Sequence, residues 1–250
     1  MKLVRVTDGD YLRYEALLLK RDELEKRAEQ IYCAYTRIFG DLIAEVFRLK
    51  IECIAFKKAI GYCVRRKNRG ERQDPQALAA YIKEKMAGYR AELSEMLRQN
   101  EIARKGSRVS AYQEAEIKRI YRRLAKLLHP DLCRMTERHP ELADLFQRVM
   151  IAYKCNGYKE MKELEVLVMR ALENLGGETF NIVITDIEEK IEELEQEIKG
   201  IMTTEPYIYL VYLEDMEKQE AKRMTLYDEK KAYSQYKERL QESLKKVQEE

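Results

Sequence analysis

The chain has 250 residues, of which 37% are charged and 45% hydrophobic, with only 10 Gly, 4 Pro and no Trp. So few turn-forming residues argue against a β-sandwich or a β-barrel and favour long helices. The formal net charge is only +2, so an electrostatic function must come from local clusters rather than from the field of the whole molecule.

The cysteine count and the hydropathy pattern limit the compartment and the chemistry. There are 5 cysteines, an odd number without metal-ligand spacing, which argues against a disulfide framework and a metal site. The amino terminus lacks the apolar core of a signal peptide, and no apolar run is long enough to span a bilayer. We therefore expect a cytoplasmic protein with no membrane partner, no cofactor and no enzymatic activity.

The first region of the chain predicts a helical hairpin. Residues 2–6 alternate like a short strand, and a helix is then expected from about Tyr11 to Val64. Its apolar residues recur in steps of three and four, as at a helix-pairing seam: Leu24, Ala28, Ile31, Tyr35, Ile38, Leu42, Val46, Leu49, Cys53, Phe56, Ile60 and Cys63. The basic stretch 65–72 breaks this pattern, and a second, shorter helix is predicted at 75–104. The amino-terminal half of the first helix therefore needs another partner.

After a linker at 105–110, a basic amphipathic helix is predicted to end at Leu128. Its inward stripe consists of Ile117, Ile120, Leu124, Leu127 and Leu128. Its outward face carries five cations without an acid among them: Lys118, Arg119, Arg122, Arg123 and Lys126. Like charges on one helix face repel each other, so this face favours an acidic surface as its partner.

The turn that follows, His129-Pro130-Asp131, has the chemistry of a recognition element. Pro130 cannot continue the helix, and it biases His129 away from helical backbone angles. An imidazole and a carboxylate are therefore expected to project together at a stiff corner, where Asp131 can accept bidentate hydrogen bonds from an arginine of a partner. No nucleophile, second acid or metal ligand lies at a useful spacing.

The spacing around this turn resembles the J-domain of DnaJ-type co-chaperones. As in that family, Tyr121 lies eight residues before His129, within the sequence Tyr-Arg-Arg-Leu-Ala. After the turn, the aromatic Phe146 precedes Tyr153, the second residue of an Ala-Tyr pair, by seven residues. The resemblance covers about residues 113–158 and combines three patterns, which makes it more specific than the tripeptide alone.

The resemblance implies docking on a seventy-kilodalton heat-shock chaperone and stimulation of its ATPase. It makes His129, Pro130 and Asp131 the trigger of that stimulation. It makes the outward cations the docking face, with Tyr121 beside them: Lys118, Arg119, Arg122, Arg123 and Lys126. The family's first-helix signature is missing upstream of Tyr121, and we expect the end of helix 75–104 to take its place.

The remaining chain predicts three more helices. One covers about Tyr158 to Asn174, before Gly176-Gly177. Residues 179–185 then read as a short strand, which we hypothesise to pair with the strand near the amino terminus. A clean seam from Ile184 to Ile201 and a last helix over about 206–247 predict a second antiparallel hairpin.

We therefore predict an all-α fold in three domains: a long hairpin at 1–110, a J-like domain at 111–177 and a hairpin at 178–250. The overhanging halves of the long helices either pack on each other or pair between chains as a homodimer. Two alternatives to the co-chaperone, whose client is unknown, stay open. One is a coiled-coil scaffold with a degenerate J-like module. The other, a nucleic-acid-associated protein using the tip at 65–72, is disfavoured because no aromatic residues interleave there.

Overall fold

The computed structural model describes residues 9–105, 109–175 and 186–249. These residues contain helices and no β-strand, so the all-α fold class is confirmed. The helices are α1 (Gly9–Asn68), α2 (Pro75–Lys85), α3 (Ala87–Lys105), α4 (Ala111–Leu128), α5 (Arg134–Arg138), α6 (Pro140–Lys154), α7 (Tyr158–Asn174), α8 (Ile187–Thr203), α9 (Val211–Glu214) and α10 (Met216–Glu249), with a 3₁₀ helix at Tyr207–Leu210. Both predicted strands, 2–6 and 179–185, lie outside the described residues. None of the described helices is long and apolar enough to cross a bilayer.

The chain divides into two compact units. The first contains residues 1–31 and 107–208, and the second contains residues 32–106 and 209–250. Helix α1 is uninterrupted over 60 residues and contributes to both units. Because the units join segments that are distant in sequence, the predicted division into three consecutive domains stays a prediction.

The core of the first unit lies between α4, α6 and α7. Ser110 begins α4 with a capping box, since its hydroxyl accepts the Gln113 N–H and its own N–H donates to the Gln113 side chain. The apolar stripes of the three helices meet in one buried cluster, as predicted for α7 from its own periodicity. Its fully buried side chains include Ile117, Ile120, Leu124, Leu128, Leu142, Val149, Met161, Leu164 and Val168.

The prediction that Leu127 belongs to the buried stripe of α4 is wrong. Leu127 is 37% exposed, because it falls at the edge of the helical arc that α4 turns towards α6 and α7. The opposite edge of that arc is filled instead by Tyr121 and Ala125, which are both buried. The tyrosine that sequence placed beside the stripe is therefore part of the core.

The amino-terminal hairpin of the second unit is formed as predicted. The rings of Tyr62 and Tyr81 lie 4.9 Å apart, and the Arg37 guanidinium donates to the carbonyl of Ala103 at 2.5 Å, so the chain runs antiparallel along α1. The second, returning helix of this hairpin is interrupted at the buried Met86, which divides it into α2 and α3. The end of α3 packs on α1 in this unit, so it does not replace a first J-domain helix.

The carboxyl-terminal helices use α1 as their partner. In the first unit, Ile187, Ile191 and Leu194 of α8 pack with tyrosines and a leucine of α1. In the second unit, the Lys230 and Lys237 ammonium groups of α10 pair with Glu45 and Glu52 at 2.9 and 2.6 Å. The antiparallel hairpin that sequence predicted for residues 178–250 stays a prediction.

Candidate partner-docking site

The turn after α4 is tightly fixed by backbone hydrogen bonds. The N–H groups of Leu132 and Cys133 donate to the carbonyl of His129 at 2.8 and 2.7 Å. The Thr136 hydroxyl donates to the carbonyl of Leu128 at 2.8 Å. The turn therefore holds one conformation in which the side chain of Asp131 is 46% exposed.

The imidazole of His129 points inward and is only 5% exposed. Its ring meets the ring of Phe146 at 5.2 Å between centroids, edge to face. Its Nδ1 lies 3.2 Å from the Asp131 N–H, and its Nε2 lies 3.4 Å from the Arg21 guanidinium. A neutral imidazole has one acceptor nitrogen, so we assign it to the shorter contact. The sequence predicted that His129 projects from the turn, and this prediction is wrong. The imidazole is buried and stabilises the turn from within.

The environment of His129 predicts a pH dependence of folding. Burial lowers the pKa of His129 below its ordinary 6.5, with Arg21 acting in the same direction and Asp22 and Asp131 opposing it. Below about pH 6.5, the imidazole therefore takes up a proton more readily in the unfolded chain than in the folded chain. The free energy of unfolding consequently falls as the pH drops. Urea unfolding at pH 7.5 and 5.5 should show a larger loss for the wild type than for His129→Gln, by at most about 1.4 kcal/mol. Equal losses in both proteins would contradict this assignment.

Three cations of the predicted docking face are paired with glutamates of α1. Lys118 and Arg122 both bind the carboxylate of Glu23, the latter at 2.9 Å. Lys126 binds Glu15 at 2.5 Å. Burial tends to raise the pKa of Glu23, but the hydrogen bonds from its two cationic partners leave it below the ordinary value. The carboxylate is therefore held in its charged form.

The other two cations of the docking face pair with glutamates of α4 and α7 rather than of α1. Arg119 binds Glu116 one turn earlier on α4 at 3.1 Å, and Arg123 binds Glu165 of α7. All five cations keep between 39% and 55% of their side-chain surface exposed. The carboxylate of Glu23 is similarly exposed, so its two ion pairs contribute on the order of 0–1 kcal/mol each and are readily exchanged for other partners. The glutamates of the other three pairs are more buried, between 14% and 22% exposed.

Tyr121 is buried and hydrogen-bonded across to α1. Its ring stacks on that of Tyr153 at 3.8 Å between centroids, and its hydroxyl donates to the Asp22 carboxylate at 2.5 Å. Burial, and then the negative charge of Asp22, raise the pKa of Tyr121 well above its ordinary value. The same carboxylate accepts hydrogen bonds from Arg21. As the structure places it, Tyr121 is not available to a partner.

Residues 11–30 of α1, here called the cover segment, account for these contacts. The segment runs antiparallel to α4, since Glu15 lies opposite Lys126 and Gln30 lies opposite Glu114 at 3.0 Å. Sequence reasoning missed its role. The signal was present in the acids Glu15, Asp22 and Glu23, whose spacings of seven and eight place them on one helix face.

The basic tip at 65–72 contains no aromatic residue, but the fold brings two tyrosines from outside the tip close to its arginines. The guanidinium of Arg65 lies 5.9 Å from the Tyr81 ring, and that of Arg66 lies 5.8 Å from the Tyr62 ring. The two rings pack on each other, and their hydroxyls accept hydrogen bonds from these arginines. They are thus engaged within the hairpin rather than arranged as a platform for bases.

The helices α4 and α6 lie antiparallel and are joined by the His129-Pro130-Asp131 turn, since Tyr121 meets Tyr153 while His129 meets Phe146. A family model described as the DnaJ domain matches residues 108–163. Comparisons with curated proteins and with solved structures give no significant match. The matched residues contain α4, the turn, α5, α6 and the start of α7, which confirms the resemblance predicted for about 113–158. The chain therefore carries a DnaJ domain, or J-domain, at residues 108–163.

Proposed function

We propose that this protein is a co-chaperone that docks on a seventy-kilodalton heat-shock chaperone through its J-domain and stimulates the ATPase of that chaperone. In this role the protein is not itself an enzyme. The observation that carries the proposal is the J-domain with its turn intact, in which the Asp131 carboxylate reaches solvent at the corner between α4 and α6. The helices outside the J-domain would hold a client, a role that rests on architecture alone.

The charges of the site suit a protein partner with an acidic surface and an exposed arginine. The cations of α4 attract the acidic surface and orient the encounter, which mainly affects the association rate. The carboxylate of Asp131 offers two oxygens to a guanidinium, which adds direction as well as energy. The fixed turn means that this carboxylate needs little ordering on binding.

The test is ATPase stimulation by the wild type and by Asp131→Asn. The substitution keeps the shape of the side chain and removes its charge, so we expect stimulation to fall by at least about tenfold. Asp144→Asn, the same change at an exposed position of α6, is the matched control and should leave stimulation unchanged. Equal stimulation by the wild type and by Asp131→Asn would contradict the proposal.

A second candidate, a structural scaffold whose J-domain engages no chaperone, is favoured by the occlusion of His129 and Tyr121. It predicts no stimulation by the wild type, and none by a variant in which the cover segment is repelled from α4. Stimulation by either protein excludes it. The variant Glu15→Lys with Glu23→Lys serves this purpose, because it opposes like charges to Lys126, Lys118 and Arg122.

A further inference from the structure

We propose that the cover segment is an internal ligand of the J-domain, which an acidic protein partner must displace from α4 before it can dock there. This inference rests on the proposed co-chaperone function and concerns the regulation of the same site. It makes the structure described here the closed form of the protein.

The contacts of the cover segment coincide with the predicted docking residues. Its carboxylates bind Lys118, Arg122 and Lys126, and a further carboxylate accepts the hydroxyl of Tyr121. The segment also places a guanidinium against the imidazole of His129. A partner with an acidic surface needs the same cations, so the segment and the partner compete for one face.

The chemistry of this contact suits a ligand that leaves and returns. Between α4 and the segment, the three cations keep between 39% and 52% of their side-chain surface exposed and Glu23 keeps 38%, whereas Glu15 is more buried at 14%. Most of the apolar side of the segment packs elsewhere, because six of the seven described residues of its buried cluster come from α1 and α8 and only Leu132 comes from the J-domain. One partly buried residue of the segment, Leu19, packs against the core formed by α4, α6 and α7. The segment can therefore separate from α4 while it keeps its apolar partner helix.

Some contacts must be broken for that separation. The Lys26 ammonium lies 4.0 Å from the centroid of the Tyr153 ring, and Lys154 of α6 pairs with Glu25 and Glu29 at 3.4 and 3.6 Å. A partner therefore displaces the segment only if it binds the open form, in which the segment has left α4, more tightly than the closed form. The free-energy cost of breaking these contacts sets the partner concentration that activation requires.

Part of the site stays accessible in the closed form. In the described part of the chain, the ion pairs of Asp131, Arg119 and Arg123 go to residues outside the cover segment. These three side chains form a starting point for the encounter, from which a partner can replace the carboxylates of α1 one after another.

The decisive variant is Glu15→Lys with Glu23→Lys, which turns attraction to α4 into repulsion. We expect it to lower the protein concentration for half-maximal ATPase stimulation by about tenfold. The matched control is Glu45→Lys with Glu52→Lys, which makes the same charge change on the same helix but breaks pairs to Lys230 and Lys237 in the second unit. The control should behave as the wild type, and circular dichroism should show unchanged helix content in both.

Hydrogen exchange on the wild type gives an answer that needs no variant. Addition of the seventy-kilodalton chaperone with ATP should speed exchange of the amides in residues 11–30, because the displaced segment loses its packing on α4. Stimulation without faster exchange in that segment overturns the internal ligand and leaves the co-chaperone function standing. The internal ligand is likewise overturned if the wild type and a folded Glu15→Lys, Glu23→Lys variant reach half-maximal ATPase stimulation at the same protein concentration. Stimulation by neither protein overturns both proposals.

Discussion

Leu124→Ala should lower the free energy of unfolding of the first compact unit by about 2–5 kcal/mol. Leu124, in the carboxyl-terminal half of α4, is fully buried in the cluster to which α6 and α7 contribute. Truncation removes the transfer free energy of three carbon atoms and leaves a cavity that three packed helices close only in part. Hydrogen exchange of the α4 amides in increasing urea measures the loss within this unit.

The matched control is Leu127→Ala, one turn later on the same helix. Leu127 is 37% exposed, so its truncation should cost less than about 1 kcal/mol, and the gain in helix propensity offsets part of that. If both substitutions cost the same, Leu127 faces the core as the sequence pattern predicted, and the orientation of α4 described here is wrong.

The elements of the J-domain could be predicted from sequence because each carries its own local signal. The stripe of α4 repeats with helical periodicity, Pro130 prevents the helix from continuing, and Pro140 begins α6. The aromatic spacing around the turn, at Phe146 and Tyr153, then identifies the family. None of these signals depends on a partner that is distant in the chain.

The closed state of the site could not be predicted in the same way. Contacts such as that between Asp22 and Tyr121 join residues 99 positions apart, and no local pattern indicates which helix faces which. The excess positive charge of α4 did predict an acidic partner. The pattern was silent on whether that partner is another protein or, as the structure shows, Glu15 and Glu23 of the same chain.

The apolar seam of α1 shows why sequence alone does not decide which of two neighbouring residues is buried. A strict alternation of three and four steps selected Ile38, and the structure buries Phe39 instead. The reason is a long-range contact, because Tyr212 and Leu226 approach α1 on the side that carries the rings of Tyr35 and Phe39. Neighbouring positions on a helix differ by only about 100°, so partners that come from elsewhere in the chain decide which apolar residue is covered.

Phe39→Ala should therefore destabilise the second compact unit by about 3–5 kcal/mol. The ring of Phe39 is 0% exposed and lies 4.9 Å from that of Tyr35 and 6.2 Å from that of Tyr212. Its removal takes away a fully buried ring of this cluster and leaves aromatic neighbours without an edge to pack on. The loss can be measured from the urea dependence of exchange at the amides around residue 39.

Ile38→Ala is the adjacent control, because Ile38 is 38% exposed. Its truncation should cost less than about 1 kcal/mol, since the side chain gives up little buried area and alanine favours the helix. The first compact unit should keep its exchange protection in both variants, because neither residue belongs to it. A larger cost at residue 38 than at residue 39 would restore the seam read from sequence, and α10 and its preceding turns would then have to contact a different face of α1.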